Sequence, residues 1–342
     1  MKNIPLKGRR ILLIGGAGFI GHNIALNLLS LGAEVSIIDG LQVNNITSVI
    51  GNSDNLPNPK LAYTVLNERI DLINKAGINF HVQDARNYHA LSSLISKINP
   101  QVIIHLAAVS HANRSNKNPY STFDHSLRTL ENALDNAKNK IEHFIYFSSS
   151  MVYGHFEGGK VDEKSICEPL GIYGALKFSG EKMVIAYNQV FDLPYTIIRP
   201  SALYGERCIS RRVGQIFIEN ALFDKEIIIN GDGSDTLDFT YIDDLVHGII
   251  QVLTKENSKN QIFNLTFGSA RTISDMVGIL KEYFPKIKIN KTSRDKLMPN
   301  RGTLSIKKAK NLIGYNPSWE LEKGYSKYIE WYKSLFSKYP KL

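Results

Sequence analysis

A glycine-rich segment, GGAGFIG at residues 15–21, directly follows the apolar run ILLI at residues 11–14. The run is typical of a buried parallel strand, and the glycines predict a tight turn into a helix over residues 19–31. Such a turn exposes bare backbone at a helix N-terminus, where a pyrophosphate can approach. A second apolar run at residues 35–38 ends at Asp39, whose carboxylate can accept hydrogen bonds from an adenosine ribose and would repel a 2′-phosphate. The pattern predicts a dinucleotide site that takes NAD rather than NADP.

The composition narrows the function classes. The chain has 342 residues and a formal net charge of +9, with 21% of its residues charged. Charges of both signs are interspersed and no dense basic block alternates with aromatic residues, which argues against nucleic-acid binding. No apolar stretch is long enough to span a membrane, and the N-terminus carries no signal-peptide pattern. The two cysteines, Cys167 and Cys208, lack metal-ligand spacing, so we expect no metal site and a cytoplasmic protein.

Strand-like and helix-like segments alternate through the first part of the chain. Repeated β–α units predict an α/β fold: a Rossmann-type, doubly wound parallel sheet with a smaller C-terminal α/β substrate-binding domain. We expect residues 1–200, together with about 240–265, to form the NAD-binding domain, and residues 201–239 and 266–342 to form the smaller one. The long connection at 41–76 is open to three interpretations: a substrate lid, a dimer contact or a neutral insertion. The remaining predicted strands are 78–82, 102–106, 143–147, 195–198, 227–229 and 262–265, and the remaining predicted helices are 61–75, 87–97, 119–138, 173–191, 210–223, 272–284, 305–313 and 321–336.

Tyr173 and Lys177 stand four residues apart in the predicted helix 173–191, one turn apart on the same face. An ammonium beside a phenol favours the phenolate, so this pair predicts a lowered tyrosine pKa. A tyrosine tuned in this way can take a proton from an alcohol near neutral pH while hydride leaves the same carbon for a nicotinamide. Ser149 follows the strand predicted at 143–147, and its hydroxyl can bind the same substrate oxygen. The three residues predict a hydride-transfer site at the carboxyl ends of the strands.

With these motifs in this order, the chain resembles the extended short-chain dehydrogenases/reductases, specifically the NAD-dependent nucleotide-sugar epimerase/dehydratase family. The likeness spans nearly the whole chain. It rests on residues 15–21, Asp39, Asp84, 105–108 (HLAA), 148–154 (SSSMVYG), 173–177 (YGALK), 199–205 (RPSALYG), 238–244 (DFTYIDD) and 305–315 (SIKKAKNLIGY).

The resemblance implies a role for each matching position. Ser149, Tyr173 and Lys177 would be catalytic, with Tyr173 as the general base and acid. Asp39 would hold the adenosine ribose and Asp84 the adenine amino group. The residues implied to bind NAD are Gly15, Gly18, Phe19, Ile20, Gly21, Asp39, Asp84, Ala85, Leu106, Ala107, Ala108, Tyr173, Lys177 and Pro200. Those implied to bind the substrate, a nucleotide-diphosphate sugar, are Ser149, Ser150, Met151, Arg207 and Arg301; forked guanidinium groups suit phosphate oxygens, although a surface ion pair is the alternative for each arginine.

Departures from the family pattern bear on the reaction. Family 4,6-dehydratases carry acidic or basic groups directly after the catalytic Ser/Thr, where this chain has Ser150 and Met151. We therefore expect a C4 epimerase that works through a transient 4-keto sugar, with a 4-dehydrogenase that releases the keto sugar and NADH as the alternative. A 4,6-dehydratase and a non-catalytic NAD-binding protein rank lower. Ala202 and Leu237 stand where the family usually has an asparagine and a phosphate-binding arginine. The sequence therefore does not identify which sugar the protein binds.

The resemblance also bears on assembly. It implies a homodimer in which helices 119–138 and 173–191 of each subunit form a four-helix bundle. It further implies a role in polysaccharide biosynthesis, for which nucleotide sugars are the donors.

Overall fold

The structure is a computed structural model that describes residues 3–51, 56–110, 112–294, 298–340 and 342. In this part of the chain the strands are β1 Arg10–Ile14, β2 Glu34–Asp39, β3 Asn79–Val82, β4 Val102–His105, β5 His143–Phe147, β6 Lys160–Val161, β7 Tyr195–Arg199, β8 Leu203–Tyr204, β9 Ile227–Asn230, β10 Thr236–Leu237, β11 Thr240–Tyr241, β12 Gln261–Asn264, β13 Arg271–Thr272, β14 Ile289–Thr292 and β15 Thr303–Leu304. The α-helices are α1 Phe19–Ser30, α2 Ile46–Ile50, α3 Pro59–Lys75, α4 Tyr88–Ile98, α5 Ala112–Lys117, α6 Pro119–Phe123, α7 Thr129–Ala137, α8 Gly171–Phe191, α9 Val213–Leu222, α10 Ile242–Thr254, α11 Ile273–Tyr283, α12 Lys307–Ile313 and α13 Leu321–Lys338.

Seven of the described strands form one parallel sheet in the order β12-β7-β5-β4-β1-β2-β3. In its register, Ile11 of β1 lies between Val35 of β2 and Val102 of β4. The strand order reverses at β1, where the chain first builds outward to β3 and then continues on the other side with β4. In such sheets ligands bind at this reversal, outside the carboxyl ends of the strands. The predicted α/β fold with a doubly wound parallel sheet is confirmed.

The central strands are apolar on both faces because helices cover both. Leu12 and Ile14 of β1 pack into one core, with side chains of α4, α7 and α8. Ile11 and Leu13 point the opposite way, into a second core that includes side chains of α1, α3 and α10. Because successive side chains of a strand alternate between faces, a continuous apolar run such as 11–14 fits only a strand buried on both sides.

The chain leaves the sheet after β7 and returns to it with α10 and β12, which pairs with β7. The segments outside the sheet form short two-stranded pairs: β8 with β11, β9 with β14, β10 with β13 and β6 with β15. Helices α9, α11 and α13 extend the second core with the buried side chains of Phe217, Met276 and Tyr325. The β6–β15 pair sets Leu304 against Val161, so the C-terminal region adjoins the segment that follows β5.

The region between β4 and β5 is helical over 119–137, close to the predicted 119–138, but a widened turn that was not predicted lies within it. It contains α6 and α7, joined by a π-helical turn at Asp124–Arg128, and α5 precedes them. Asp124 in this turn accepts a 2.7 Å hydrogen bond from Arg86, and the Ser126 hydroxyl accepts one of 3.4 Å from the main chain of Val109. These long-range contacts stabilise the widened turn, and no local sequence pattern predicts them.

Some further features concern the fold as a whole. Among the helices of the described ranges, none is long and apolar enough to cross a membrane. The described residues also contain no group of three or more His, Cys, Asp or Glu side chains arranged to hold a metal ion. Cys167 and Cys208 are both free thiols, and Cys208 is buried.

Candidate active site

Two connected cavities lie at the carboxyl ends of the sheet strands. The first cavity is bounded by the turn between β1 and α1, by Asp39 at the end of β2 and by Asp84 after β3. The second cavity is bounded by Ser149, Tyr173 and Arg301, among others. The residues that line both cavities are Ile20, Leu106, Ala108, Ser110, Leu203 and Arg212.

The predicted site residues fall into these cavities with one exception. Those predicted to bind NAD line the first cavity, apart from Tyr173, Lys177 and Pro200, which line the second. Of the residues predicted to bind substrate, Ser149, Ser150, Met151 and Arg301 line the second cavity. Arg207 is not among the lining residues of either.

The glycine turn brings bare backbone to the wall of the first cavity. Gly15 has φ +82, and a Cβ built on it would lie 2.6 Å from the main-chain nitrogen of Ala107, just after β4. A Cβ on Gly21 would lie 2.5 Å from the carbonyl oxygen of Gly16, so α1 packs directly on the turn. The N-cap of α1 is Gly18, which offers no side chain to the first N–H groups of the helix. These N–H groups are therefore left for an anionic ligand.

Asp39 is held in place by the backbone around it. Its Oδ2 accepts a 3.0 Å hydrogen bond from the main-chain nitrogen of Ala17, and its Oδ1 accepts one of 2.8 Å from that of Leu41. Burial raises the pKa of the Asp39 carboxyl, and these two hydrogen bonds oppose the rise. The carboxylate is thus fixed at the wall of the first cavity, at the end of β2.

Asp84 already has polar partners at the far side of the same cavity. Arg86 donates to it at 2.7 Å through Nη2, and Gln42 donates at 3.1 Å through Nε2. Burial alone would raise the pKa of Asp84, but the hydrogen bonds from Arg86 outweigh it and the pKa lies below its usual value. Arg86 also reaches Asp124 of the π-helical turn, so this wall is tied to the segment before α7.

Ser149 and Tyr173 meet in the second cavity. Ser149 follows β5 by two residues; its side chain lies close to that of Tyr173 and accepts a 3.2 Å bond from the main-chain nitrogen of Met151. Tyr173 sits in the first turn of α8. Burial raises the pKa of Tyr173, whereas the charge of Arg212 and the hydrogen bond from Ser149 oppose the rise.

The sequence prediction of a tyrosine pKa lowered by Lys177 is therefore wrong. Burial of Tyr173 outweighs the charges near it, and the cation that opposes this effect is Arg212. The Lys177 ammonium instead donates a 2.6 Å hydrogen bond to the carbonyl oxygen of Phe147, the last residue of β5. Burial lowers the pKa of Lys177 to about 8, and Glu181 one turn further along α8 opposes this.

Arg301 and Arg212 bring positive charge to the second cavity. The buried Nε of Arg301 has no hydrogen-bond partner among the described residues. Burial lowers the pKa of Arg301 to about 10, and the nearby charge of Arg212 adds to this. Arg212 donates a 3.4 Å hydrogen bond to the carbonyl oxygen of Ser110, and no carboxylate of the described chain forms an ion pair with it. Two guanidinium groups held close together without full compensation form a site for an anion such as a diphosphate.

Arg207 lies outside this arrangement. Its Nε donates a 3.1 Å hydrogen bond to Nε2 of His22 in α1, and its carbonyl oxygen accepts a 2.8 Å bond from Nε of Arg69. The residue adopts φ 63, in the left-handed region. Its side chain is directed to α1 instead of to the cavity that holds Arg301.

Arg69 of α3 is a wall residue of the first cavity that the sequence analysis missed. It is only 1% exposed, and burial lowers its pKa to about 10. The other buried positions of α3 are Leu61, Val65, Leu66 and Ile73. Arg69 lies on this apolar stripe, four residues after Val65 and four before Ile73, and a cation on the buried face of a helix is the signal that could have identified it.

Comparison with known proteins agrees with this geometry. The model of the NAD dependent epimerase/dehydratase family matches residues 11–266. The chain belongs to this family. It is 30% identical over 335 residues to the uncharacterized UDP-glucose epimerase YtcB of Bacillus subtilis, covering 96% of this chain and 99% of that protein.

Solved structures of similar proteins include two sugar-nucleotide epimerases. The UDP-glucuronic acid 4-epimerase of Bacillus cereus, in complex with UDP-glucuronic acid and NAD, superimposes with a TM-score of 0.84 at 28% identity, covering 95% of this chain and 99% of that one. The UDP-glucose 4-epimerase of Thermotoga maritima, with UDP-glucose, gives a TM-score of 0.80 at 26% identity with the same coverage.

The cofactor of the family, NAD, fits the first cavity of this chain. The glycine turn leaves a cradle that a Cβ on Gly15 would obstruct, at the N-terminus of α1. Asp39 places a carboxylate at the end of β2, which suits ribose hydroxyl groups and disfavours a 2′-phosphate. The predicted cofactor, NAD, is therefore supported both by family membership and by the residues present.

Proposed function

We propose that this protein is an NAD-dependent epimerase that inverts C4 of a nucleotide-diphosphate sugar through a transient 4-keto sugar. The observation that carries the proposal is the composition of the second cavity. It combines the neighbouring side chains of Ser149 and Tyr173 with the guanidinium of Arg301, whose buried Nε has no hydrogen-bond partner among the described residues. The 4-epimerase activity of the similar enzymes from Bacillus cereus and Thermotoga maritima supports the same reaction.

NAD is proposed to lie along the first cavity and to reach the second with its nicotinamide end. The N–H groups at the start of α1 would hold the pyrophosphate, with Asp39 at the adenosine ribose and Asp84 near the adenine. Lys177 and Tyr173 would hold the nicotinamide ribose. When bound, the cofactor supplies a hydride acceptor for C4 of the sugar and later a hydride donor. Leu106, Ala107 and Ala108 complete the wall along this path.

Tyr173 is the proposed acid and base. As a phenolate it takes the proton of the C4 hydroxyl while the hydride leaves C4, and as a phenol it returns a proton when hydride comes back to the opposite face. Ser149 donates a hydrogen bond to the same oxygen and steadies it in both sugar configurations. Arg301 binds the diphosphate, so the keto sugar can rotate and present its opposite face without leaving the cavity. The buried Tyr173 needs positive charge to ionise; Arg212 already opposes the rise in its pKa, and Lys177 lies one helical turn away in the same cavity.

Dehydration finds less support in this cavity. Ser150 and Met151, which follow Ser149, have no group that ionises near neutral pH. Among the described residues that line the second cavity, Asp235 is the only carboxylate, and it is paired with Arg294 at 3.0 Å. Elimination of water across C5 and C6 requires an acid and a base of its own. Epimerisation requires only the tyrosine and the cofactor.

The test is to incubate the purified protein with nucleotide sugars carried on UDP, GDP, CDP or dTDP and to examine products by mass spectrometry and proton NMR. A product of unchanged mass with altered C4 proton coupling supports the epimerase. A loss of two hydrogens with matching NADH identifies the 4-dehydrogenase instead, and a loss of water identifies a dehydratase. Tyr173→Phe is the control, because it should still bind NAD through the remaining contacts and yield no product.

We also propose an assembly and a domain division. The NAD-binding domain would comprise residues 1–200 with about 240–265, since β12 pairs with β7 in the main sheet. The homodimer would form through α7 and α8 and the segment before α7, where Tyr120, Phe123 and Val190 are exposed apolar side chains. A cytoplasmic role in polysaccharide biosynthesis remains an expectation from the family resemblance.

A further inference from the structure

A buried ion pair lies beneath the candidate active site. Arg199, the last residue of β7, grips the carboxylate of Glu181 in α8 with two hydrogen bonds: Nε to Oε1 at 2.9 Å and Nη2 to Oε2 at 2.6 Å. The two side chains are 3% and 1% exposed. The hydroxyl of Ser148 donates a third hydrogen bond to the same carboxylate. The guanidinium also lies 4.8 Å from the ring centre of Tyr153.

Such a pair is a poor device for stability alone. Removing two charges from water costs several kcal/mol per ion, and packed apolar residues of similar size are often as good or better. The location of the pair indicates a second role, which is to hold neighbouring parts of the active site together. Ser148 directly precedes Ser149, Pro200 directly follows Arg199, and Lys177 stands one turn before Glu181 on α8. The pair therefore joins the ends of β5 and β7 to the helix that carries Tyr173.

Glu181 is also the negative charge that faces Lys177. The other ionisable groups around this ammonium are His105 at the end of β4, Tyr146 of β5 and Tyr173 in the preceding helical turn. The Lys177 Nζ lies 5.2 Å from the ring centre of Tyr146. Burial, with the Lys177 charge, lowers the pKa of His105 to about 3, so this imidazole is neutral and adds no second positive charge. Without Glu181, Lys177 would be a buried cation left with the Phe147 carbonyl and the Tyr146 ring as its partners.

We propose that Glu181, clamped by Arg199, is a positioning residue that supplies the counter-charge for Lys177 and fixes the end of β5 at Ser149. The assignment rests on the proposed function, in which the Lys177 ammonium holds the nicotinamide ribose and assists Tyr173. Glu181 touches neither cofactor nor substrate and acts only through these neighbours.

The test measures NAD affinity against pH, which requires no sugar substrate. We expect the affinity of the parent to fall as pH rises and Lys177 loses its proton, and this step should be absent in Lys177→Met. Glu181→Gln keeps the size of the side chain and its hydrogen bond with Ser148 but removes the charge. Its midpoint should move to lower pH by about one unit, because the buried ammonium loses its compensating charge. The descending limb of kcat against pH should move in the same direction.

Three further variants keep the test decisive. Glu163→Gln is the matched control, because Glu163 is a part-buried glutamate that accepts a 2.9 Å bond from the main chain of Asn264 without contacting Ser148 or Lys177. Glu181→Asp retains the charge and should keep the parent midpoint. If Glu181→Gln does not fold, the double variant Glu181→Gln with Arg199→Gln restores a neutral pair and should show the lowered midpoint.

The outcomes separate the inference from the function. A uniform loss of affinity in Glu181→Gln with an unmoved midpoint, or an equal shift in Glu163→Gln, overturns the positioning role. Failure of the parent protein to bind NAD overturns the proposed function itself. If the protein binds NAD but converts none of the sugars, the pH dependence of NAD binding still tests the role of Glu181.

Discussion

The imidazole Nε2 of His143 lies 2.7 Å from the hydroxyl oxygen of Thr196, across the β5–β7 interface. The Thr196 hydroxyl donates its own proton to the carbonyl of Ser258 at 2.7 Å, so it accepts from His143 and fixes the imidazole with its proton on Nε2. The ring is fully buried, and its Nδ1 has no partner among the described residues. Burial lowers the pKa of His143 to about 3.

This histidine should make the fold sensitive to acid. The unfolded chain takes up a proton near the ordinary pKa of 6.5, whereas the folded chain does so only near 3. Stability is therefore lost as pH falls from 6.5 towards 3, and the cost from this one residue is about 2 kcal/mol at pH 5. Urea unfolding of His143→Gln at pH 7 and pH 5 should show a smaller loss than the parent by that amount. The same substitution at the exposed His89 is the control, and an equal effect there would contradict the prediction.

Gly15 should be essential to the first cavity for two separable reasons. Gly15→Ala puts a Cβ 2.6 Å from the Ala107 nitrogen at φ +82. Gly77→Ala has a similar φ of +70 but no atom within 4 Å of the new Cβ. The control should lose only the backbone term of about 1 kcal/mol. Gly15→Ala should lose more stability and also bind NAD at least tenfold more weakly, as measured by calorimetry; equal losses in the two variants would show that the close approach is unimportant.

Arg301 and Arg207 give a matched pair for the substrate diphosphate. Loss of a charged hydrogen-bond donor to phosphate should raise KM of Arg301→Met by about 10- to 100-fold, with a smaller effect on kcat. Arg207→Met should leave KM near that of the parent, because its side chain bonds to His22 outside both cavities. Steady-state kinetics with the sugar identified by NMR measure both. A larger increase in KM for Arg207→Met than for Arg301→Met would show that Arg207 binds the diphosphate.

The exposed apolar side chains near α7 and α8 predict a dimer that charge can break. Tyr120 is 83% exposed and Val190 is 69% exposed in the single chain. Light scattering should give twice the chain mass for the parent and the chain mass for Tyr120→Glu combined with Val190→Asp. Ile166→Glu alters an equally exposed residue, at 78%, that lies outside these helices, and it should remain dimeric. Dissociation by Ile166→Glu alone would place the contact elsewhere.

Much of the fold could be predicted because the decisive signals are local. The strand at 11–14, the glycine turn and the long helix that carries Tyr173 each follow from residues adjacent in sequence. The π-helical turn inside the helix predicted at 119–138 could not be predicted in this way. It depends on Arg86 reaching Asp124 across the fold, and on Val109 bonding to Ser126.

The same distinction holds for the site. Nothing in the sequence distinguishes Arg301 from Arg207 as the residue that binds the diphosphate. The structure distinguishes them: Arg207 adopts a left-handed backbone conformation, and its carbonyl oxygen accepts a hydrogen bond from the buried Arg69. The pKa of Tyr173 was misjudged because the spacing of Tyr173 and Lys177 carries no information about burial. Burial is decided by the whole fold, and here it outweighs the nearby charges.

The late return of the chain to its main sheet has a consequence for synthesis. The strand that pairs with β7 is β12, and the whole stretch from the end of β7 to Gln261 must leave the ribosome before that pairing can form. Until then β7 is an open edge with unpaired main-chain groups on a strand whose side chains are all buried in the finished fold. A pause in translation between residues 200 and 260 would therefore prolong the stage at which the nascent chain is most prone to pair with another copy of itself.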